Sequence, residues 1–193
     1  MNSEDALMRE AISLADLGRF EVEPNPRVGC VLLQDGEIVA RGHHEFFGGR
    51  HAEAVALEEA ARNNKRPDTA VVTLEPCSTK KGVAGKKTPP CAQALVEAGI
   101  KRVVIGAVDP DPRHRRKGID LLEDAGVDVL DGVLAGACDE IYQPFRKSLA
   151  LDRPWIVRPS GHLKRQWDFS TALRGNFAIY SGIRHFLYMR DII

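Results

Sequence analysis

The order of apolar and polar positions predicts a regular succession of elements. Between Glu4 and Leu17 the apolar residues Ala6, Leu7, Ala11, Ile12, Leu14 and Leu17 recur at helical spacing, and Gly18 supplies a stop. Val28 to Leu33 is an almost continuous apolar run. Gln34-Asp35-Gly36 then carries turn chemistry, and Glu37 to Arg41 resumes with Ile38, Val39 and Ala40, which predicts a hairpin. After a loop from Gly42 to Gly49, Ala52 to Asn63 reads as a helix and Ala70 to Leu74 as a strand. Cys91 to Ala98 predicts a helix ended by Gly99, Arg102 to Val108 a buried strand, and Ile119 to Ala125 a helix closed by Gly126. Val127 to Leu130 is the last strand of this pattern. From Leu134 a helical period runs through Ala137, Ile141 and Phe145 toward Ala150, until Pro154 interrupts it. A hairpin followed by strand–helix repeats implies an α/β protein, a three-layer α/β/α sandwich around a mixed central sheet.

Composition narrows the class. The 193 residues carry 27 Lys+Arg against 27 Asp+Glu, so the formal net charge is zero, and binding driven by bulk charge is not expected. With 44% hydrophobic and 28% charged residues, 17 Gly and 11 Pro, the chain is neither collagen-like nor disordered nor a disulfide scaffold. No apolar run approaches the roughly 20 residues of a bilayer span, and the acids at Glu4 and Asp5 precede the first base, unlike an export signal. A cytoplasmic protein without membrane partners is expected. Cys30, Cys77, Cys91 and Cys138 are then ligands or buried thiols rather than disulfides, and Cys30 and Cys138, in apolar segments, read as core.

The chain changes character after Pro159. The last 34 residues hold six of the twelve aromatics, with five Lys/Arg against two acids. Two units are expected: residues 1–157 as the chemical domain and 158–193 as a C-terminal extension of undefined fold. A homo-oligomer is the expected state.

Three clusters carry the chemistry: His51-Ala52-Glu53 opening a helix, Glu75-Pro76-Cys77 ending a strand, and Thr88-Pro89-Pro90-Cys91 opening the next helix. One imidazole and two thiolates make a three-ligand set for zinc that leaves a fourth tetrahedral position open, the arrangement of a catalytic site. Any one of these residues alone would be an ordinary buried thiol or surface imidazole; their combination is what points to metal. Helix N-termini at His51 and Cys91 favour the thiolate that a metal requires. Glu53, two residues past the histidine, is placed to carry protons between water and a substrate nitrogen. His-x-Glu followed by Pro-Cys and a second Cys is the arrangement of the zinc nucleobase deaminases.

Further motifs narrow the resemblance. Pro24-Asn25-Pro26, Val28-Gly29-Cys30-Val31, Gly42 through His44, Gly48, Thr73-Leu74-Glu75-Pro76-Cys77-Ser78, Lys87-Thr88-Pro89-Pro90-Cys91, Ala98-Gly99-Ile100, Arg102-Val103 and Asp109-Pro110 accompany the two core motifs. From about Ala6 to Trp155 the chain resembles the pyrimidine deaminase of riboflavin biosynthesis, the N-terminal half of a bifunctional bacterial deaminase/reductase. That resemblance implies a cytidine-deaminase-like fold and hydrolytic deamination of 2,5-diamino-6-ribosylamino-4(3H)-pyrimidinone 5′-phosphate. It implies zinc on His51, Cys77 and Cys91, Glu53 as proton shuttle, and substrate contacts from Asn25, His44, Lys87, Asp109 and Asp111.

The chain departs from the family pattern in four places. Thirteen residues separate Cys77 from Cys91, more than usual, the excess lying in the Lys- and Gly-rich Lys80 to Lys86. Thr79 replaces the histidine usual after Cys-Ser, and Asp111 replaces an asparagine, setting an acid where a neutral amide would meet substrate. Arg113-His114-Arg115-Arg116-Lys117 replaces a more apolar stretch and reads either as a draw for the substrate phosphate or as a solvated charged loop. With no aromatic from Asp109 to Gly118 and zero net charge, nucleic-acid binding is not expected. Nothing after Trp155 resembles the reductase half, and no Gly-rich dinucleotide fingerprint is present, so reduction is expected from a separate reductase. Two other readings stand beside this one. The chain could be a zinc deaminase of a free pyrimidine, a nucleotide or a tRNA adenosine, or a catalytically silent zinc scaffold binding a partner through its tail.

Overall fold

The computed structural model describes residues 3–23, 25–79 and 89–151, together with two short strands at 177–179 and 186–188. The chain opens with α1 (Glu4–Leu17), whose first turn is capped by the Ser3 hydroxyl accepting from the Ala6 N–H at 3.2 Å, with Glu4 and Asp5 at the positive end of the helix dipole. β1 (Gly29–Gln34) and β2 (Glu37–His43) form the hairpin, joined at Asp35 and Gly36 with φ of 54° and 82°. Both turn residues thus lie in the left-handed region that a tight two-residue hairpin demands, which is why Asp-Gly stands there. α2 (Ala52–Arg62), β3 (Thr69–Leu74), α3 (Cys91–Glu97), β4 (Arg102–Ala107), α4 (Lys117–Asp124), β5 (Asp128–Leu130) and α5 (Ala135–Leu151) follow.

The five strands form one sheet in the order β2-β1-β3-β4-β5. β1 runs antiparallel to both β2 and β3, whereas β3, β4 and β5 are parallel, so the sheet is mixed as expected. Helices α1 and α5 pack together on one face, and α2, α3 and α4 cover the other. The fold is the expected α/β/α sandwich. Its core is aliphatic: Val31, Leu32, Val71, Val72, Val103, Ile105, Leu95, Ile119 and Leu122 are fully buried, and Cys30 and Cys138 lie among them as expected. Burial pushes both thiols up, Cys138 to about 12, so both stay protonated and inert.

Small differences from the expected boundaries have physical causes. Gly42 lies inside β2 rather than in the following loop, because a Cβ there would meet the Ala52 carbonyl oxygen at 2.2 Å; glycine lets α2 rest directly on the strand. α4 begins at Lys117, two residues before Ile119, after Arg116 takes a left-handed φ of 63°. Pro144 is accommodated within α5. β6 (Phe177–Ile179) and β7 (Phe186–Tyr188) pair antiparallel. The remainder of the expected extension 158–193 lies outside the described residues. No helix among the described residues is long and apolar enough to cross a membrane.

Candidate metal centre

The ends of three elements converge beyond the C-terminal ends of β3 and β4. His51 is the N-cap residue of α2, Cys77 follows β3 by three residues, and Cys91 is the first residue of α3. The topology forces their approach. Parallel β3 and β4 end on the same side, and α2 and α3, both on one face of the sheet, turn their N-termini toward that side.

Cys77 Sγ lies 3.5 Å and Cys91 Sγ 3.3 Å from His51 Nδ1, and all three donor atoms fall within 4.8 Å of one another. Ligands about 2.1 Å (N) and 2.3 Å (S) from a tetrahedral zinc stand roughly 3.6 Å apart, so the spacing fits that ion. The chemistry fits as well: two soft sulfurs and an imidazole form a zinc donor set. Cys91 also donates its backbone N–H to Cys77 Sγ at 3.3 Å, which favours the thiolate. Among the described residues this is the one cluster of three or more such side chains compact enough to hold a metal.

Glu53, one residue into α2, is 3% exposed beside this cluster. Burial raises its carboxyl above the usual range, while the His51 imidazole opposes that shift. Both Glu53 and His51 line a cavity of about 380 Å³, together with Asn25, His44, Glu75, Cys77, Asp109 and others.

The expected substrate contacts divide into three groups. Asn25, His44 and Asp109 line the cavity. His44 is 3% exposed, its Nε2 has no hydrogen-bond partner among the described residues, and its ring centre lies 5.6 Å from that of His51. Burial, reinforced by His51, pulls its imidazole down to about 4, so it is neutral at physiological pH with one nitrogen available to a ligand. Half-buried Asp109 has its carboxyl raised by burial. Asp111 is brought elsewhere: it does not line the cavity, and its carboxylate is held by the Arg113 guanidinium, with Nη2 at 2.6 Å and Nε at 3.0 Å from the oxygens. That pairing pulls Asp111 down to about 2. The acid at this position is thus paired from within its own loop. Lys87 and the inserted Lys80 to Lys86 lie outside the described residues.

Two polar lining residues lie outside the expected set of site residues: Glu75, expected only as a neighbour of Cys77, and His114, expected only as part of the basic run. Glu75 is 5% exposed and accepts three backbone N–H groups, Oε2 from Asp109 (3.0 Å) and Arg116 (2.9 Å) and Oε1 from Gly118 (2.8 Å). It ties β3 to the loop that walls the cavity and caps α4. A carboxylate placed directly after a largely apolar, buried strand was the available signal. His114, from the basic run, also lines the cavity.

Residues 1–107 match the model of the cytidine and deoxycytidylate deaminase zinc-binding region. The riboflavin biosynthesis protein RibD of Escherichia coli is 38% identical over 179 residues, 93% of this chain and 45% of that protein. The diaminohydroxyphosphoribosylamino-pyrimidine deaminase of Buchnera aphidicola is 39% identical over 147 residues, 76% of this chain and 96% of that protein. Among solved structures, the Thermotoga maritima deaminase/reductase superposes with a TM-score of 0.72 at 39% identity, covering 79% of this chain and 42% of that one. Acinetobacter baumannii RibD gives 0.70 at 38%, covering 79% and 41%. The chain thus spans less than half the length of the RibD proteins and nearly all of the Buchnera relative.

Proposed function

The chain belongs to the riboflavin-pathway pyrimidine deaminases within the cytidine and deoxycytidylate deaminase zinc-binding family, and from that premise we propose that it hydrolyses 2,5-diamino-6-ribosylamino-4(3H)-pyrimidinone 5′-phosphate to 5-amino-6-ribosylaminouracil 5′-phosphate and ammonia. The observation that carries this reading is a buried carboxylate, Glu53, beside a His/Cys/Cys donor set at the closed end of a cavity of suitable size for one heterocycle.

His51, Cys77 and Cys91 would hold zinc, which when bound acts as a Lewis acid and brings the acidity of water from a pKa of ~16 toward ~7. The remaining work falls to the chain's own residues. Glu53 takes a proton from the attacking water and returns it to nitrogen, so that a C–O bond forms, the C–N bond breaks, and ammonia leaves. A carboxyl raised by burial is the stronger base toward the proton of the attacking water. Neutral His44 and the Asn25 amide offer hydrogen bonds to the pyrimidine edge without adding charge to the pocket.

The same reading takes residues 1–157 as the deaminase unit, in the cytoplasm and as a homo-oligomer. All four cysteines are free thiols, which suits a reducing compartment.

The test is ammonia release by the purified chain from the diaminopyrimidinone ribosyl phosphate, with cytosine, dCMP and tRNA in parallel and metal measured on the same sample. Ammonia from the first substrate alone, with about one zinc per chain, is the expected result. Release from another base instead would reassign the substrate. Bound zinc with no ammonia from any of them would leave a silent scaffold.

A further inference from the structure

Of the five residues from Arg113 to Lys117, only His114 lines the cavity that holds Glu53. Its neighbours are directed elsewhere. Arg113 closes on Asp111, Arg116 Nη1 reaches Asp131 at 2.9 Å, and Arg115 lines a separate cavity of about 500 Å³ beside Asp131 and Asp139. The imidazole of His114 faces Thr79, with Nδ1 3.5 Å from the hydroxyl oxygen, and its Nε2 stands 4.0 Å from Asp111. Both separations exceed those of ordinary N–H···O bonds, so the ring can re-pair with a ligand at little cost. Its backbone is held firmly. The His114 N–H donates to the Asp111 carbonyl at 2.9 Å, the Lys117 N–H to the His114 carbonyl at 3.1 Å, and Glu75 secures the N–H groups of Arg116 and Gly118.

The cavity also has a direction. Glu53, at 3% exposure, marks its closed end, and His114, with its side chain 42% exposed, stands at its rim. A substrate whose reacting ring meets Glu53 must send its ribosyl phosphate toward that rim. Asp109 lines the same cavity, and at its rim the His114 ring offers an N–H to a phosphate oxygen. Positions 79 and 114 are both departures from the family pattern, and they are in contact.

We infer that His114 is a specificity-determining residue of this chain: its imidazole, carried on a backbone held by the loop's own hydrogen bonds, donates a hydrogen bond to the phosphate end of the substrate. This rests on the deaminase reading above.

The experiment compares wild-type protein with His114→Ala and His114→Gln on two substrates, the ribosyl phosphate and its dephosphorylated riboside. It adds a calorimetric titration of each variant with the deaminated product, a readout independent of turnover. For His114→Ala, KM for the phosphorylated substrate should rise about 10-fold with a smaller change in kcat, and product affinity should fall in parallel, as for loss of one charge-assisted hydrogen bond. KM for the riboside should stay within about 2-fold, because its hydroxyl carries no charge to recognise. His114→Gln, which keeps an N–H donor, should recover part of the loss. Equal penalties on both substrates, or unchanged product affinity in a variant with the wild-type melting temperature, would overturn the inference and leave the deaminase reading intact. Wild-type protein that neither binds the product nor releases ammonia from either substrate would overturn both.

Discussion

The two walls of the cavity are held in different ways. The wall bearing His51, Glu53, Cys77 and Cys91 stands on the ends of β3, α2 and α3, and each of these elements is anchored by buried residues: Ala70 to Leu74 in the strand, Ala52, Ala56 and Ala60 in one helix, Ala92 and Leu95 in the other. The wall from Asp109 to Gly118 has no regular element until α4. Its shape depends on the Glu75 carboxylate and on the Asp111–Arg113 pair. A wall fixed by many apolar contacts tolerates loss of one polar group without moving, so an isosteric substitution there that spares the metal donors changes chemistry alone. A wall fixed by a few hydrogen bonds moves when one of them is lost.

Substitutions on each side sharpen that contrast. Glu53→Gln should lower turnover by at least ~100-fold while zinc content and melting temperature hold, since the isosteric amide keeps the packing and loses only proton transfer. A parallel fall in zinc or in melting temperature would show that the first wall is not as rigid as its anchoring implies. Cys91→Ser should instead lower zinc content and thermal stability together, because ligation is coupled to folding, and metal analysis beside a thermal melt reads both.

Across the cavity, Glu75→Gln replaces one acceptor oxygen by a donor that faces a backbone N–H. A loss of about 1–3 kcal/mol is expected by chemical denaturation, with KM raised by the displaced loop while zinc stays bound. Unchanged stability would mean that the loop holds its shape without Glu75.

The smallest effect belongs to Asp111. Its carboxyl is pulled to about 2 by Arg113, below the ordinary value near 4, so the stability it supplies is complete above that ordinary value and is lost as pH falls from about 4 toward about 2. Asp111→Asn should remove this loss, which comparing denaturation midpoints at pH 5 and pH 3 for both proteins would reveal. Because Arg113 is solvent-exposed, the difference will be modest.

Much of the first wall was legible in one dimension. Helical spacing placed α2 and α3, an apolar run placed β3, and the donors sit within one to three residues of those ends, so locating the ends located the chemistry. The second wall was not legible. Glu75 is satisfied by backbone N–H groups at positions 109, 116 and 118, which any non-proline residue supplies, and no residue type announces them. The basic run looked uniform in sequence, but its members turn in different directions because each takes its partner from a different element: Arg113 from its own loop, Arg116 from beyond β5, His114 from the segment after β3.

Local order, the hairpin turn, the aliphatic core and the identity of the His/Cys/Cys donors with their neighbouring acid were settled by the sequence, because side-chain periodicity and ligand chemistry are properties of residue types at short range. Only the tertiary structure decided that Asp111 is spent on Arg113, that His44 is buried in the wall of the cavity, and that His114 alone of its run reaches the cavity. The pairing of Asp111 depends on how its loop is folded, and the placing of His114 beside Thr79 depends on proximity across 35 residues of chain, which exists only once the sheet and its helices have packed.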